Sequence, residues 1–402
     1  MPADEILSAL RRGRCRFAGL RDAAGKQVFK MRSFLVGRRS LRVAATLSSL
    51  ALLAPAAWAV ESRAVADLLA QPAQANIRAA QSLQLSVARA GNRLVSVGER
   101  GLVLLSDDGG KAWRQARSVP VSVALTQVCF VSDKLGWAVG HSGVVLSSSD
   151  GGETWQRQLD GVQAAKIIAD NARTLAAAGG ENAGRHLREA EGLVQDGPDK
   201  PFLSVFFADA QRGWIVGAYG MALATADGGK SWQSLMPRIP NAGGKHLYAI
   251  NYEAGSLLLA GEQGVLFRST DNGASFQKVT TPYAGTFFGA LPVGTNGLFA
   301  YGLRGNAWRS DDAGANWSRI ELAQPVTLTA ALRLTDGTLL LADESGRLLR
   351  GDAGATRFVA LPAQPRAGLT SMVQAADGAL IVSGARGVSR VEPATLSAEA
   401  SK

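Results

Sequence analysis

From about residue 82 to residue 391 the apolar positions fall in short runs, broken at close intervals by Gly, Asp, Asn and Ser. Short β-branched and apolar runs between such breakers predict strands and turns rather than helices. One stretch shows the pattern in full: Val128-Cys129-Phe130-Val131, Gly136-Trp137-Ala138-Val139, Val144-Val145-Leu146-Ser147 and Thr154-Trp155-Gln156-Arg157. It predicts four strands, A to D.

The same unit recurs. A Gly-x-x-Gly turn follows each B run, with one copy as Asp343-x-x-Gly346, and its last glycine falls at Gly101, Gly143, Gly220, Gly264, Gly305, Gly346 and Gly387. The gaps are 42, 77, 44, 41, 41 and 41 residues. Five of the turns are followed by one eight-residue box: Ser106-x-Asp108-x-Gly110-x-Ala112-Trp113, Ser148-x-Asp150-x-Gly152-x-Thr154-Trp155, Thr225-x-Asp227-x-Gly229-x-Ser231-Trp232, Ser269-x-Asp271-x-Gly273-x-Ser275-Phe276 and Ser310-x-Asp312-x-Gly314-x-Asn316-Trp317. A degenerate sixth copy, Asp352-x-Gly354-x-Thr356, lacks the leading Ser and the adjacent aromatic. Four short strands per repeat of about 40 residues predict an all-β fold, a seven-bladed β-propeller with one blade per repeat. Glycine in the B–C hairpin supplies positive φ. The boxed Asp accepts backbone N–H bonds in the C–D turn, and the aromatic anchors it.

The 77-residue gap between Gly143 and Gly220 carries a different period. Ala165, Ile168, Ala172 and Leu175, then Leu187, Ala190 and Val194, follow helical spacing, with Gly179-Gly180 between them and Gly197-Pro198 as a stop. A helical hairpin at about 160–197 is therefore expected in the D–A connection of blade 2, as a packed cover for one rim or as a partner-binding element. In a four-stranded blade the B–C and D–A loops share one mouth. The tips of the glycine turns would ring it with Arg100, Tyr219, Arg304 and Arg386, side chains suited to binding a partner. Ring closure is expected from residues Asn76 to Ala80 as the fourth strand of blade 7, because the polar tail after Glu392 has neither box nor aromatic.

Charge changes the picture less than it promises. The formal net charge is +10, but residues 1–59 hold 11 Lys/Arg against 3 Asp/Glu, leaving 32 against 30 and a net of +2 in residues 60–402. No nucleic-acid partner follows from that. Residues 1–59 resemble a leader: Arg38-Arg39-Ser40-Leu41-Arg42, an apolar stretch from Val43 to Ala56, and Ala57-Trp58-Ala59 as a cleavage site, with Met31 as an alternative start. Export to a periplasm is expected, with the signal cut after Ala59 and the propeller occupying 60–402. Of the two cysteines only Cys129 would remain, as a small core hydrophobe.

Catalytic and metal constellations are absent from the pattern. His141, His186 and His246 are the only histidines and have no ligand spacing. No box completes a calcium loop, and neither a nucleophile elbow nor a Walker loop is present. Met236-Pro237-Arg238-Ile239-Pro240 contains an Arg-Ile-Pro triplet shared with sialidases, but it follows the third box, and the A strands show no Glu–Tyr–Arg set. No enzyme activity, cofactor or small-molecule substrate is expected.

The boxes resemble the BNR or Asp-box repeats over roughly residues 82 to 391. Together with Gly136-Trp137-Ala138-Val139-Gly140 and Gly213-Trp214-Ile215-Val216-Gly217 on B strands, they resemble the photosystem II stability and assembly factor family. That resemblance implies a non-catalytic, exported propeller that binds a membrane-protein precursor, partly through a basic patch. The helical insert departs from the plain family core. It leaves open an accessory role to an envelope transporter, with a carbohydrate-active, sialidase-like propeller as the reading from another class.

Overall fold

The computed structural model describes residues 67–179, 182–362 and 368–397; the expected leader and its cleavage site lie outside them. Among the described residues seven antiparallel sheets follow one another, each a meander of neighbouring strands, six with four strands and the last with three. In blade 2 strands A to D are Leu125–Phe130, Gly136–Gly140, Val145–Ser148 and Gln156–Leu159. Strand A thus begins earlier than its apolar run suggests. The B strands are buried along all or nearly all of their length, as in Gly136–Gly140, Gly213–Gly217 and Leu380–Gly384, because neighbouring blades cover both faces. That is why they read as continuous apolar runs rather than alternating ones. Between blades 1 and 2 the seam holds Val95, Val97, Leu105, Val128, Ala138 and Trp155, all buried, each valine and leucine contributing about 1.5–3 kcal/mol of burial.

The boxes are turn-builders. Ser148 Oγ donates to Asp150 Oδ1 at 2.9 Å and accepts from Gly152 N, while Asp150 takes the Thr154 N–H at 2.9 Å and the Thr154 hydroxyl at 2.6 Å. Trp155 Nε1 closes the turn onto Gly152 O at 2.9 Å. Box glycine carbonyls also take a donor from the preceding blade. Gly151 O receives Arg93 at 3.2 Å, Gly228 O receives Trp137 Nε1 at 3.2 Å and Gln158 at 3.0 Å, and Gly273 O receives Arg238 at 3.5 Å. Arg238, the arginine of the Arg-Ile-Pro triplet, is therefore an inter-blade clasp.

The ring is not closed as expected. Residues Asn76 to Ala80 form no strand: a 3-10 turn, Ala79–Gln81, stands there, and the sheet of blade 7 stops at three strands, Leu369–Gln374, Leu380–Gly384 and Gly387–Val391. The segment nevertheless docks where a D–A connector belongs. An added Cβ on Gly387 would lie 1.8 Å from Ala80 O, as one on Gly101 would lie 2.1 Å from Val121 O in blade 1. Ala79 is buried with Leu102 and Leu104, beside Val388. Two further bonds tie blade 7 to blade 1: Thr370 Oγ1 donates to Gln84 O at 2.8 Å, and Arg390 Nη1 to Gly109 O at 2.5 Å. Side-chain bonds between blades, together with the docked connector, replace the missing strand.

Two helices, α1 (Gly161–Ala177) and α2 (Ala183–Asp196), fill the long D–A connection of blade 2. A capping box opens α1: the Asp160 carboxylate accepts Gln163 N at 3.0 Å, and Gln163 Oε1 accepts Asp160 N at 3.1 Å. Ala165, Ile168 and Ala172 are buried as the spacing predicts. In α2 Leu193 faces the core and Val194 is exposed, one position off the expected register. Both helices share a cluster with Trp137, Phe202, Met221 and Trp232, so the insert is packed onto blades 2 and 3.

Candidate functional site: the glycine-turn mouth

The B–C hairpins of blades 1 to 5 turn through the same hydrogen bond: Leu102 N donates to Glu99 O at 2.9 Å, and Met221 N to Ala218 O at 3.1 Å. The first glycine of each turn is extended and crowded; a Cβ on Gly98 would sit 2.1 Å from Leu83 O. At the turn tip Arg100, Ser142, Tyr219, Gln263 and Arg304 all take left-handed backbone, with φ of 53, 56, 56, 54 and 55°. The glycines after them, such as Gly101 and Gly220 at φ +70°, make these type I′ turns. Gly or Asn would occupy the tip at less cost, since a left-handed L-residue costs roughly 1–2 kcal/mol. Blades 6 and 7 depart: among the described residues neither Ser345 nor Arg386 has positive φ. In blade 6 Asp343 replaces the first glycine, is buried, and accepts Ser345 N at 2.9 Å, Arg347 N at 3.0 Å and Arg347 Nε at 2.7 Å.

The structure exposes Arg100, Tyr219, Arg304 and Arg386 on these turns. Gly143 lies against Gly161, the first residue of α1, so the insert starts at the same mouth. None of the three arginines has a carboxylate within ion-pair distance among the described residues. Tyr219 is 51% exposed, its ring centroid 5.1 Å from that of His246 and 5.7 Å from Lys200 Nζ. Sequence reasoning missed the residues one step before the tips. Glu99, Glu262 and Glu344 stand on the same turns, so the mouth carries both signs of charge. Glu262 lies 3.5 Å from His246 Nδ1.

Sequence reasoning also missed what lies inside the mouth. The register of every A strand slips at its second residue, between Gln84 and Ser86, Leu125 and Gln127, Phe202 and Ser204, Leu247 and Ala249, Phe287 and Gly289, Leu328 and Ala330, and Leu369 and Ser371. A bulge re-aims the extra side chain. The seven residues concerned, Leu85, Thr126, Leu203, Tyr248, Phe288, Thr329 and Thr370, all line one central cavity of about 230 Å3. Only the recurrence of a bulge at one strand position marks them, and no single repeat reveals it. Among the described residues no charged side chain lines that cavity.

Other groups have structural roles. Burial pushes the partly buried Cys129 thiol up to about 12, which suits a core side chain rather than a nucleophile. Among the described residues no cluster of His, Cys, Asp or Glu could hold a metal ion, and no helix is long and apolar enough to cross a membrane.

The box carboxylates make stability depend on pH. The Ser231 hydroxyl and N–H, with Thr225, hold Asp227 at about 2; the Asn316 N–H and amide, with Ser310, hold Asp312 at about 2. Ser269 and Ser275 depress Asp271 as well. These groups sit below the usual value of 3.8, so their stabilisation is complete above about pH 4 and is lost as pH falls from about 4 towards 2. The melting temperature should stay level from pH 7 to 5 and fall steeply below 4 in calorimetry. A Asp227→Ala, Asp312→Ala variant should lower the plateau and flatten that fall; an equally steep fall would show that other groups cause it.

The family model described as Photosynthesis system II assembly factor YCF48 matches residues 193–317. The Photosystem II assembly lipoprotein Ycf48 of Synechococcus sp. (strain CC9902) is 32% identical over 77 residues, 19% of this chain and 23% of that protein, so the match spans less than a quarter of the relative. A solved structure of YCF48 from Cyanidioschyzon merolae superposes with a TM-score of 0.57 at 15% identity, covering 81% of this chain and 99% of that one. YCF48 bound to D1 peptide gives 0.55 at 16%, covering 77% and 92%. The WD40 propeller of Doa1 gives 0.55 at 12%, covering 80% and 95%, a likeness of fold alone. The chain is an Asp-box β-propeller that resembles the photosystem II assembly factors.

Proposed function

We propose that the protein is a non-catalytic, exported assembly factor that holds a membrane-protein precursor at its glycine-turn mouth through Arg100, Tyr219, Arg304 and Arg386. The observation that carries this reading is the backbone of the tips. Three of these four residues occupy left-handed positions that a glycine would fill at less cost, and each presents an exposed side chain. Strain retained under an exposed side chain supports selection for what that side chain does. Arginine offers a planar fork to acidic segments, and tyrosine adds apolar area with a polar tip. The solved structure of YCF48 bound to D1 peptide supports a precursor of the photosystem kind as client. The alternating acidic neighbours argue for local contacts rather than long-range attraction to a membrane surface. Among the described residues the central cavity offers neither the carboxylates nor the arginine set of a sialidase, which weighs against the carbohydrate reading.

The test uses the mature chain purified from the periplasm, whose first residue should be Val60. Replacing Arg100, Arg304 and Arg386 together by Ala should leave the melting temperature nearly unchanged, because exposed loop tips contribute little. Capture of the client from solubilised membranes should fall at least ~10-fold if each contact is worth ~1 kcal/mol or more. Unchanged capture would move the binding site off this mouth.

A further inference from the structure

The seven bulge residues do not form an even ring. Blades 3, 4 and 5 contribute Leu203, Tyr248 and Phe288 in succession, and Leu85 comes from blade 1. The other three are threonines. Thr126 donates to Phe202 O at 2.7 Å, Thr329 to Ala342 O at 3.3 Å, and Thr370 to Gln84 O, so their hydroxyls are occupied by the backbone. One arc of the throat is therefore aromatic and aliphatic. It continues outwards to the rim: Phe288 meets Tyr248 at 5.4 Å between centroids, Tyr248 meets His246 at 6.3 Å, and His246 meets the exposed Tyr219. Tyr248 and Phe288 are only partly buried, so they are not core aromatics whose position packing alone explains.

Beyond this arc the cavity wall turns polar, with Ser86, Ser204, Asn251 and Ser371. Ser86 Oγ accepts Val128 N at 3.4 Å and Ser204 Oγ accepts Ile250 N at 3.1 Å, so both retain a hydroxyl proton to donate. A volume of about 230 Å3 is below the roughly 300–1,000 Å3 of small-molecule sites and suits a single large side chain. With no charge in the wall among the described residues, an ionised tip would be left uncompensated there.

We propose that the throat is a subsite for one aromatic side chain with a polar, uncharged tip, a tyrosine, projecting from an extended segment of the client. The ring lies against Leu203, Tyr248 and Phe288 in the offset or edge-on arrangements that aromatic pairs favour, and the phenol oxygen accepts from Ser86 or Ser204. This rests on the reading of the mouth as a polypeptide-binding site. It adds that the client is anchored inside the channel and not only held by the arginines.

The probe is N-acetyl-L-tyrosinamide, titrated into the mature protein and followed by NMR. Saturable shifts in the low-millimolar range are expected, confined to the second residues of the A strands. They should weaken at least ~10-fold in Phe288→Lys, which sets a charge in the throat, and persist in the triple arginine variant. N-acetyl-L-alaninamide should give no saturable shift. Absence of saturation with the tyrosine amide, or equal binding by Phe288→Lys with an unchanged melting temperature, would overturn the subsite. Client capture separates the two readings. Capture lost in the arginine variant but intact in Phe288→Lys would refute the throat and keep the mouth; capture intact in both would refute both.

Discussion

A Gly387→Ala protein should unfold several degrees below the native one and should release its N-terminal segment first. Gly387 has φ of +91°, and a Cβ there would lie 1.8 Å from Ala80 O and 2.8 Å from Gln81 Cα. Both contacts are backbone, so no side chain can swing aside. Either strand C of blade 7 shifts, or the 76–83 connector leaves its seat and exposes Leu102 and Leu104. Backbone strain joined to an opened apolar seam belongs among the large single-residue effects, about 3 kcal/mol or more. At about 2 °C per kcal/mol for a chain of this size, the melting temperature should fall by roughly 6 °C. Gly179→Ala is the control: its φ is +70°, but nothing lies within 4 Å of an added Cβ, so only conformational strain of about 1 kcal/mol applies. Limited proteolysis should cut the Gly387→Ala variant between residues 67 and 83 sooner than the control. Equal loss of stability in the two proteins would mean that the connector does not hold the ring shut.

The second large effect lies at the helical insert. Ile168 and Leu193 are both buried, and they share a cluster with Phe202, Met221 and Trp232 of blade 3. Ile168→Ala and Leu193→Ala should each cost about 2–4 kcal/mol through lost transfer energy and the cavity left behind. The two share neighbours, so the double variant need not equal the sum. Deleting residues 160–197 should keep the β signal in circular dichroism, because no blade draws a strand from the insert. Its unfolding should nevertheless move to lower temperature than in either point variant, since the apolar cover of Phe202 and Trp232 is removed. A deletion protein that melts with the native one would make the insert a free appendage instead.

Much of this molecule was legible without coordinates, for a physical reason in each case. The seven-bladed ring follows from local signals repeated at one spacing. A positive-φ glycine and a boxed Asp that accepts neighbouring N–H groups both act within eight residues, so the chain itself spells them out, as at Asp227 and Ser231. The positions of Arg100, Tyr219, Arg304 and Arg386 at one mouth follow from strand order alone. The two helices were legible from their period, although at the end of α2 Leu193, not Val194, joins the core cluster that holds Trp232 and Phe202.

What only the tertiary structure decided involves groups far apart in sequence. Closure by Thr370 to Gln84 and Arg390 to Gly109 joins residues more than 280 positions apart, a separation that no local pattern encodes. The sequence marked a missing fourth strand in blade 7, yet the connector took a 3-10 turn, because seating Ala79 over Leu102 and Ala80 against Gly387 buries the seam without a ladder. The throat is the clearest case. Leu203, Tyr248 and Phe288 are ordinary strand residues until a bulge in each A strand turns them inward and the ring sets them side by side. Local chemistry determines each blade, and the closing of seven blades on one axis determines what faces the centre.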